Sequence, residues 1–440
     1  MATNEKQPKE VKQQLVNPDH KPRVAALLSI IPGIGQMYNK RFGKGTALFI
    51  LFAAFAVVLV SSLGPAIGGL ITLGEVPGQD DSRVFLSEGL LSATVVAFFI
   101  GFYVLNILDA HKDAKRIQLG WEVPNLREGF RNAWDTTFPY VLISPGMFLL
   151  IFVVAFPLMF MLALAFTNYN LYNAPPRAIL DWVGFQNFTN LFTIAEWRNT
   201  LISVFSWTLI WTFVATTLQI ILALFLAILV NDPRLKFKKL IRTVFILPWA
   251  VPAFVTILIF SALFNDNFGA INRDILIPLF GMSDGIPWLS DPFWTRTALI
   301  MIQTWLGFPF VFALFTGVLQ SISSDWYEAA DIDGANRWQK FKFITFPHVM
   351  FATAPLLIMQ YSFNFNNFNI IYLFNEGGPA VRGQTAGGTD ILISWVYGLT
   401  FDNQQFNMAA AISIILGLLV ATFAFFQFRR TRSFKEEGSI

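Results

Sequence analysis

Eight stretches of mostly apolar residues alternate along the chain with polar, charged segments, near residues 46–64, 90–108, 142–166, 203–230, 243–263, 297–318, 349–372 and 408–428. A helix of about 20 apolar residues crosses a bilayer core of about 30 Å, and a helix bonds its own backbone where no water is present. The pattern therefore predicts an all-α integral membrane protein with about eight transmembrane helices. Residues 24–38 are apolar but short, and the run Pro32-Gly33-Ile34-Gly35 interrupts them. That segment is expected to lie on the membrane surface or to re-enter it without crossing.

The polar segments set an orientation. With the N-terminus inside, 25 of the 31 Lys and Arg residues fall in inside segments and 6 in outside ones. Basic residues favour the cytoplasmic side, so both termini are expected to be cytoplasmic. Residues 1–135 comprise a polar tail, the interrupted segment, two spans and a charged cytoplasmic linker. Residues 136–430 run as six closely connected spans, and 431–440 form a second tail. The division is expected between Asn125 and Thr137.

Composition sharpens this reading. Of 440 residues 55% are hydrophobic and 13% charged, and the mean hydropathy is +0.54, too apolar for an ordinary soluble domain. The net charge of +3 does not argue for nucleic acid, because a membrane protein places its basic excess in cytoplasmic loops. The chain has no cysteine, and His20, His111 and His348 are too scattered for a metal motif. The first 22 residues lack an apolar core, so no cleavable signal is expected and the first span would direct insertion. The sequence Phe42-Gly43-Lys44-Gly45-Thr46 fails as a phosphate loop, since Tyr38 stands where the first Gly is needed and Gly45 replaces Ser/Thr. No arrangement of nucleophile, base or paired carboxylates suggests catalysis.

The polar segment between the sixth and seventh spans, residues 321–347, predicts a two-helix knob on the inner face. Tyr327 to Asp333 reads as one short helix, Gly334 permits a turn, and Trp338 to Phe346 reads as a second helix stopped at Pro347. Glu328-Ala329-Ala330, three residues, Gly334, nine residues, then Ile344-x-Phe346-Pro347 resembles the EAA signature of ATP-driven (ABC) importer permeases. That family usually has Leu where Phe346 stands. The resemblance implies a coupling helix that docks in a cleft of the ATPase subunit, through Glu328, Ala329, Ala330, Gly334, Ile344 and Pro347.

Polar residues inside two spans supply a second candidate. On the seventh, Gln360, Phe363, Asn364 and Asn367 are spaced i, i+3, i+4 and i+7, which puts three amides and a ring on one face of a helix. On the sixth, Gln303, Leu306, Gly307 and Phe310 repeat the spacing, and Trp305 falls off it unless Pro309 distorts the helix. Both stripes lie at matching depth, about 6 Å to the outer side of the helix midpoints. Amides in lipid tend to face a bundle interior, where they bond either neighbouring helices or the hydroxyls of a ligand. Phe363-Asn364-Phe365-Asn366-Asn367-Phe368 with Gly377-Gly378-Pro379, and Gln303 to Phe310, are similar to segments of the MalF-type permeases of maltose and maltodextrin importers. Asn168-Tyr169-Asn170 and Gly184 to Phe188 resemble the external loop that opens that family's core. Here the gap from Thr167 to Thr200 is too short for the large folded insertion that a Gram-negative member carries.

The resemblance, covering roughly residues 140–430, implies a type I importer permease of the bacterial cell membrane that translocates maltose or maltodextrin by alternating access. It implies a second homologous permease, two ATPase subunits that hold the ATP and magnesium, and an extracellular sugar-binding protein. No cofactor is expected in this chain. Other readings are a permease for another oligosaccharide or glycerol phosphate, or an ion-driven secondary transporter, which would ordinarily carry charges within its spans.

Overall fold

The computed structural model describes residues 17–121, 126–232 and 234–430. The outer part of the N-terminal tail, residues 122–125 of the linker and the tail from 431 on lie outside these residues. Among them, six helices are long and apolar enough to cross a membrane: Phe42–Thr72, Ser82–Gln118, Thr137–Leu164, Ala195–Asn231, Pro292–Ser321 and Arg337–Asn375. Lys238–Ala250 and Ala253–Leu263, bent by 87° at a break that includes Pro252, make one further candidate span, the fifth in sequence order. The eighth predicted span falls on the helix Phe406–Arg430. Each predicted stretch thus coincides with a helix, and the spans keep their sequence order below.

Prolines mark where these helices widen. Four segments with a wide π-type turn end two residues before Pro65, Pro157, Pro278 and Pro347. Proline lacks an N–H and its ring collides with the carbonyl four residues earlier, and a locally wider turn accommodates both. This corrects the expected stop at Pro347. The second helix of the knob continues through Phe341–Thr345 into the seventh span.

The described chain falls into two compact units, 1–182 and 183–440. In the first, the interrupted segment forms two short helices, Pro22–Leu28 and Ile34–Tyr38, clamped to the C-terminal half of the second span. Gln36 is wholly buried and donates to the Asn106 carbonyl and side chain, both at 3.0 Å. Asn39 donates to the Ala110 carbonyl at 2.8 Å, and Arg41 and Lys44 pair with Asp113 and Asp109 at 2.5 Å. Gly33, at φ +89°, lets the Gly45 carbonyl approach to 2.1 Å from where a Cβ would stand. These polar anchors hold the two short helices against the second span. Lys44, the would-be phosphate-loop lysine, is one arm of the clamp.

In the second unit the fourth and sixth spans pack along their length. Ala223 and Ala227 on the fourth meet Phe308, Val311, Phe312 and Phe315 of the sixth in one buried apolar cluster, and Ala215, Trp207 and Trp211 pack with Ala298, Leu299 and Ile302 in a second. Small residues let helix backbones approach closely in lipid, where water supplies no drive for association.

Candidate functional site

The seventh span is not one continuous helix where the sequence places its stripe. The helix Phe346–Phe365 ends, Asn366 and Asn367 leave helical geometry, and a new helix runs Phe368–Asn375. The i+7 relation assumed for Asn367 therefore does not hold, and its place near the other amides comes from the break. Asn364 is fully buried and Asn367 nearly so, whereas Gln360 is half-buried and Phe363 is 59% exposed. On the sixth span Gln303 and Gly307 are buried, Leu306 and Phe310 are half-buried, and Trp305 is 47% exposed.

The buried amides meet. Gln303 Nε2 donates to Asn364 Oδ1 at 2.8 Å, and Asn367 Nδ2 donates to Gln303 Oε1 at 3.1 Å. Asn364 Nδ2 donates to Thr216 Oγ1 on the fourth span at 2.7 Å. Trp211 Nε1 donates to the Asn364 carbonyl at 2.9 Å, satisfying one of the acceptors a helix leaves free in its last turn. The sequence paired the sixth span with the seventh. The fold adds Thr216 and Trp211, which sequence spacing had no means of finding because they lie about 150 residues away. In this conformation the network is closed on itself and carries no ionised group. Phe363 and Trp305 are exposed and make no hydrogen bond in it.

The knob forms as a capped pair of helices. Ser324–Ile332 is capped by Ser323, whose hydroxyl accepts from Asp325 N–H, and Gly334 turns the chain at φ +72°. Asn336 and Gln339 form a reciprocal capping box at 2.9 and 2.7 Å that starts Arg337–Lys340. Tyr327 Oη bonds Thr345 Oγ1 at 2.9 Å, and Lys340 pairs with Asp331. Glu328, Ala329, Gly334 and Pro347 are exposed, while Ala330 and Ile344 are half-buried. A groove between Trp326, Ala329, Ile344, Pro347, His348 and Phe351 opens on the same side. Of the expected docking residues, Ala329, Ala330, Ile344 and Pro347 line this groove, and Glu328 and Gly334 are exposed outside it, as is Ile332 at 87%.

A family model described as a binding-protein-dependent transport system inner membrane component matches residues 219–433. The chain is 52% identical, over 94% of its length and 99% of the relative's, to the galactooligosaccharides transport system permease protein GanP of Bacillus subtilis (strain 168). It is 47% identical, over 94% of its length and 97% of the relative's, to the maltodextrin transport system permease protein MdxF of the same organism. This chain belongs to the binding-protein-dependent transport permeases, in their MalF-type sugar branch. A solved structure of a bacterial alginate ABC transporter, in complex with an alginate pentasaccharide-bound periplasmic protein, shares the fold at a TM-score of 0.54 and 22% identity, over 69% of this chain and 97% of that one.

Two further features of the permease bear on its site. The loop after the seventh span is pinned to the N-terminal halves of the fourth and sixth. Trp207 Nε1 donates to the Thr389 carbonyl at 3.0 Å, Arg296 Nε donates to the Gly388 carbonyl at 2.8 Å, and the Arg296 guanidinium lies 4.6 Å from the Trp207 ring centre. Asp390 accepts from Ser394 Oγ at 2.7 Å and from Gly387 N–H at 2.8 Å. Burial lifts its carboxyl to about 6, against the pull of those two bonds, and the charge of Asp402 adds a little to the rise. Elsewhere, a cavity of about 670 Å³ is lined by Phe205, Leu209, Phe213, Tyr361, Phe365 and Leu419 among others. It contains none of the residues picked from the sequence, and its walls offer a sugar few partners.

Proposed function

We propose that this chain is the permease subunit of an ATP-driven importer that carries a neutral oligosaccharide of the maltodextrin or galactooligosaccharide type. The observation that carries the reading is the buried amide network of Gln303, Asn364 and Asn367. It offers donors and acceptors to hydroxyls, and no Lys, Arg, Asp or Glu belongs to it. A phosphorylated substrate such as glycerol phosphate would want a buried countercharge beside it. The names of the two relatives support the oligosaccharide class, and maltodextrin remains the sugar expected from the motif resemblance.

The network is closed, so translocation requires it to open. The sixth and seventh spans part, Gln303 releases Asn364 and Asn367, and the freed amides take sugar hydroxyls in exchange. Exposed rings at Phe363 and Trp305 offer flat apolar surface to sugar rings, and Leu306, Gly307, Phe310 and Gln360 complete the lining. ATP binding to partner subunits supplies the differential free energy that shifts the populations of the two states. In this reading the knob carrying Glu328 and Gly334 transmits the movement from the ATPases, which hold the ATP and magnesium. A second similar permease and an extracellular sugar-binding protein complete the assembly, and the complex in the alginate importer structure supports the latter. The Lys and Arg distribution supports a cytoplasmic side for both termini and the knob.

The test is uptake of labelled maltodextrins and galactooligosaccharides of graded length, alongside glycerol phosphate, by cells with and without the gene. Loss of one neutral oligosaccharide class on deletion is expected. Unchanged oligosaccharide uptake with lost glycerol phosphate uptake would overturn the reading.

A further inference from the structure

Along the fourth span, residues 211, 215, 219, 223 and 227 recur at every fourth position and face the sixth span. At 215, 223 and 227 this face carries alanine. At 219 it carries glutamine, wholly buried, and neither amide atom has a hydrogen-bond partner among the described residues. An unpaired amide in a dry helix interface is costly, and glutamine is a poor substitute for the small residues around it.

The place it occupies is informative. A Cβ built at Gly307 would stand 1.8 Å from Gln219 Oε1, so the amide fills the space a side chain at 307 would take. Gly307 is four residues from Gln303 and shares its helix face, and Gln219 is three residues from Thr216, which receives Asn364. Gln219 therefore extends the amide network by one turn along both helices, and the absent side chain at Gly307 lets it through to the face that carries Gln303.

The geometry points to Gln219 as a further sugar-contacting, specificity-determining residue, whose amide takes a hydroxyl of the oligosaccharide one turn beyond Gln303 and Asn364. This rests on the sugar-site reading above. A sugar must break existing bonds to engage Gln303 or Asn364, whereas Gln219 gains a donor and an acceptor and gives up neither. A hydroxyl supplies both functions in one group, and a neutral amide suits it better than it suits an ion. The closed state thus holds one amide in reserve, and the loaded state satisfies it.

The test uses the whole importer reconstituted in proteoliposomes, with maltotriose or β-1,4-galactotriose, whichever is transported, and its monodeoxy analogues. Transport at low concentration is compared for the unaltered protein, Gln219→Met and Asn364→Ala. The binding protein reads the same hydroxyls, so the quantity scored is the ratio of ratios, in which its contribution cancels. For the unaltered protein, deleting the hydroxyl that Gln219 takes lowers transport roughly three- to tenfold. In Gln219→Met the parent sugar loses the same factor, and that one analogue loses nothing more.

If every analogue loses the same factor in Gln219→Met as in the unaltered protein, Gln219 touches no hydroxyl and the inference fails. Coupling at Asn364 without coupling at Gln219 overturns this inference alone, and coupling at neither overturns the sugar site as well. Thermal unfolding of the sugar-free complex is a second readout. Gln219→Met removes a buried unpaired amide and should hold or raise the midpoint, while abolishing part of the rise that the trisaccharide produces. A marked fall in the midpoint, or failure to assemble, would mean that the amide holds the bundle together through water, and the inference would be wrong.

Discussion

The knob at residues 324–347 and the amide network around Asn364 invert the usual placement of side chains. The knob exposes Trp326, Ile332, Trp338 and Phe343 and is held together by contacts within some twenty residues of sequence, the caps at Ser323 and Asn336 and the Tyr327–Thr345 bond. The network buries three side-chain amides at Gln303, Asn364 and Asn367, and its side-chain bonds join residues 61 to 148 positions apart. Exposed apolar surface on a locally stable frame is a surface awaiting a partner. Buried polar groups that mostly satisfy one another are a latch, which holds one state until something of equal bonding capacity replaces its bonds.

The contrast can be broken hardest at the knob. Gly334 sits at φ +72° with open space around its Cβ position, so a β-branched residue there meets backbone strain and no clash. Gly334→Val should lower coupled transport roughly tenfold or more while the protein still inserts, and Gly334→Asn, which tolerates this conformation, should recover most of it. Sugar-stimulated ATP hydrolysis by the assembled complex is the measurement. Glu328→Lys should act in the same direction, and normal coupling in both Gly334→Val and Glu328→Lys would remove the knob from the mechanism.

At the latch Gly307→Ala would put a methyl group where Gln219 Oε1 stands, so the end of that wholly buried side chain would have to shift. Overpacking of this kind costs about 1–3 kcal/mol, and pairing it with Gln219→Ala should restore the thermal midpoint. An unrescued double variant would show that Gly307 is needed for some other reason. Asn364→Ala breaks the bonds to Gln303 and Thr216 and should cost about 1–3 kcal/mol, more than Asn367→Ala at about 0.5–1.5 kcal/mol, because the latter removes one bond. Phe363→Ala should change sugar uptake with little effect on stability, since that ring is exposed. Equal stability losses at Phe363 and Asn364 would erase the distinction between lining and latch.

The smallest effect concerns the outer loop. Asp390 has a raised carboxyl in the folded state, so the fold binds its proton more tightly than the unfolded chain does. Stability of the loop should therefore fall as pH rises from about 4 to about 6 and level off above that. Asp390→Asn should flatten this slope, read by hydrogen exchange at the loop amides or by the thermal midpoint. A slope that survives the substitution would move the titration to another group.

Much of the architecture was legible without coordinates, because a bilayer leaves few choices. Apolar stretches of sufficient length must become helices, so each predicted stretch coincides with one. The knob was equally legible, since Gly334, the capping residues and the Glu-Ala-Ala run act over a few positions of chain. Even there a local rule misled: Pro347 ends a helix in water, but the wide turn at Phe341–Thr345 carries this one through. The tertiary structure decided the rest. The break at Asn366 and Asn367 overrode the helical spacing assumed for the seventh span, and placed Asn367 against Gln303 by a route no period could show. Thr216 and Trp211 joined the network, and Gln219 came to lie against Gly307, only because the fourth span packs against the sixth and seventh. Periodicity tells which residues share a face of one helix, and only packing tells which faces meet.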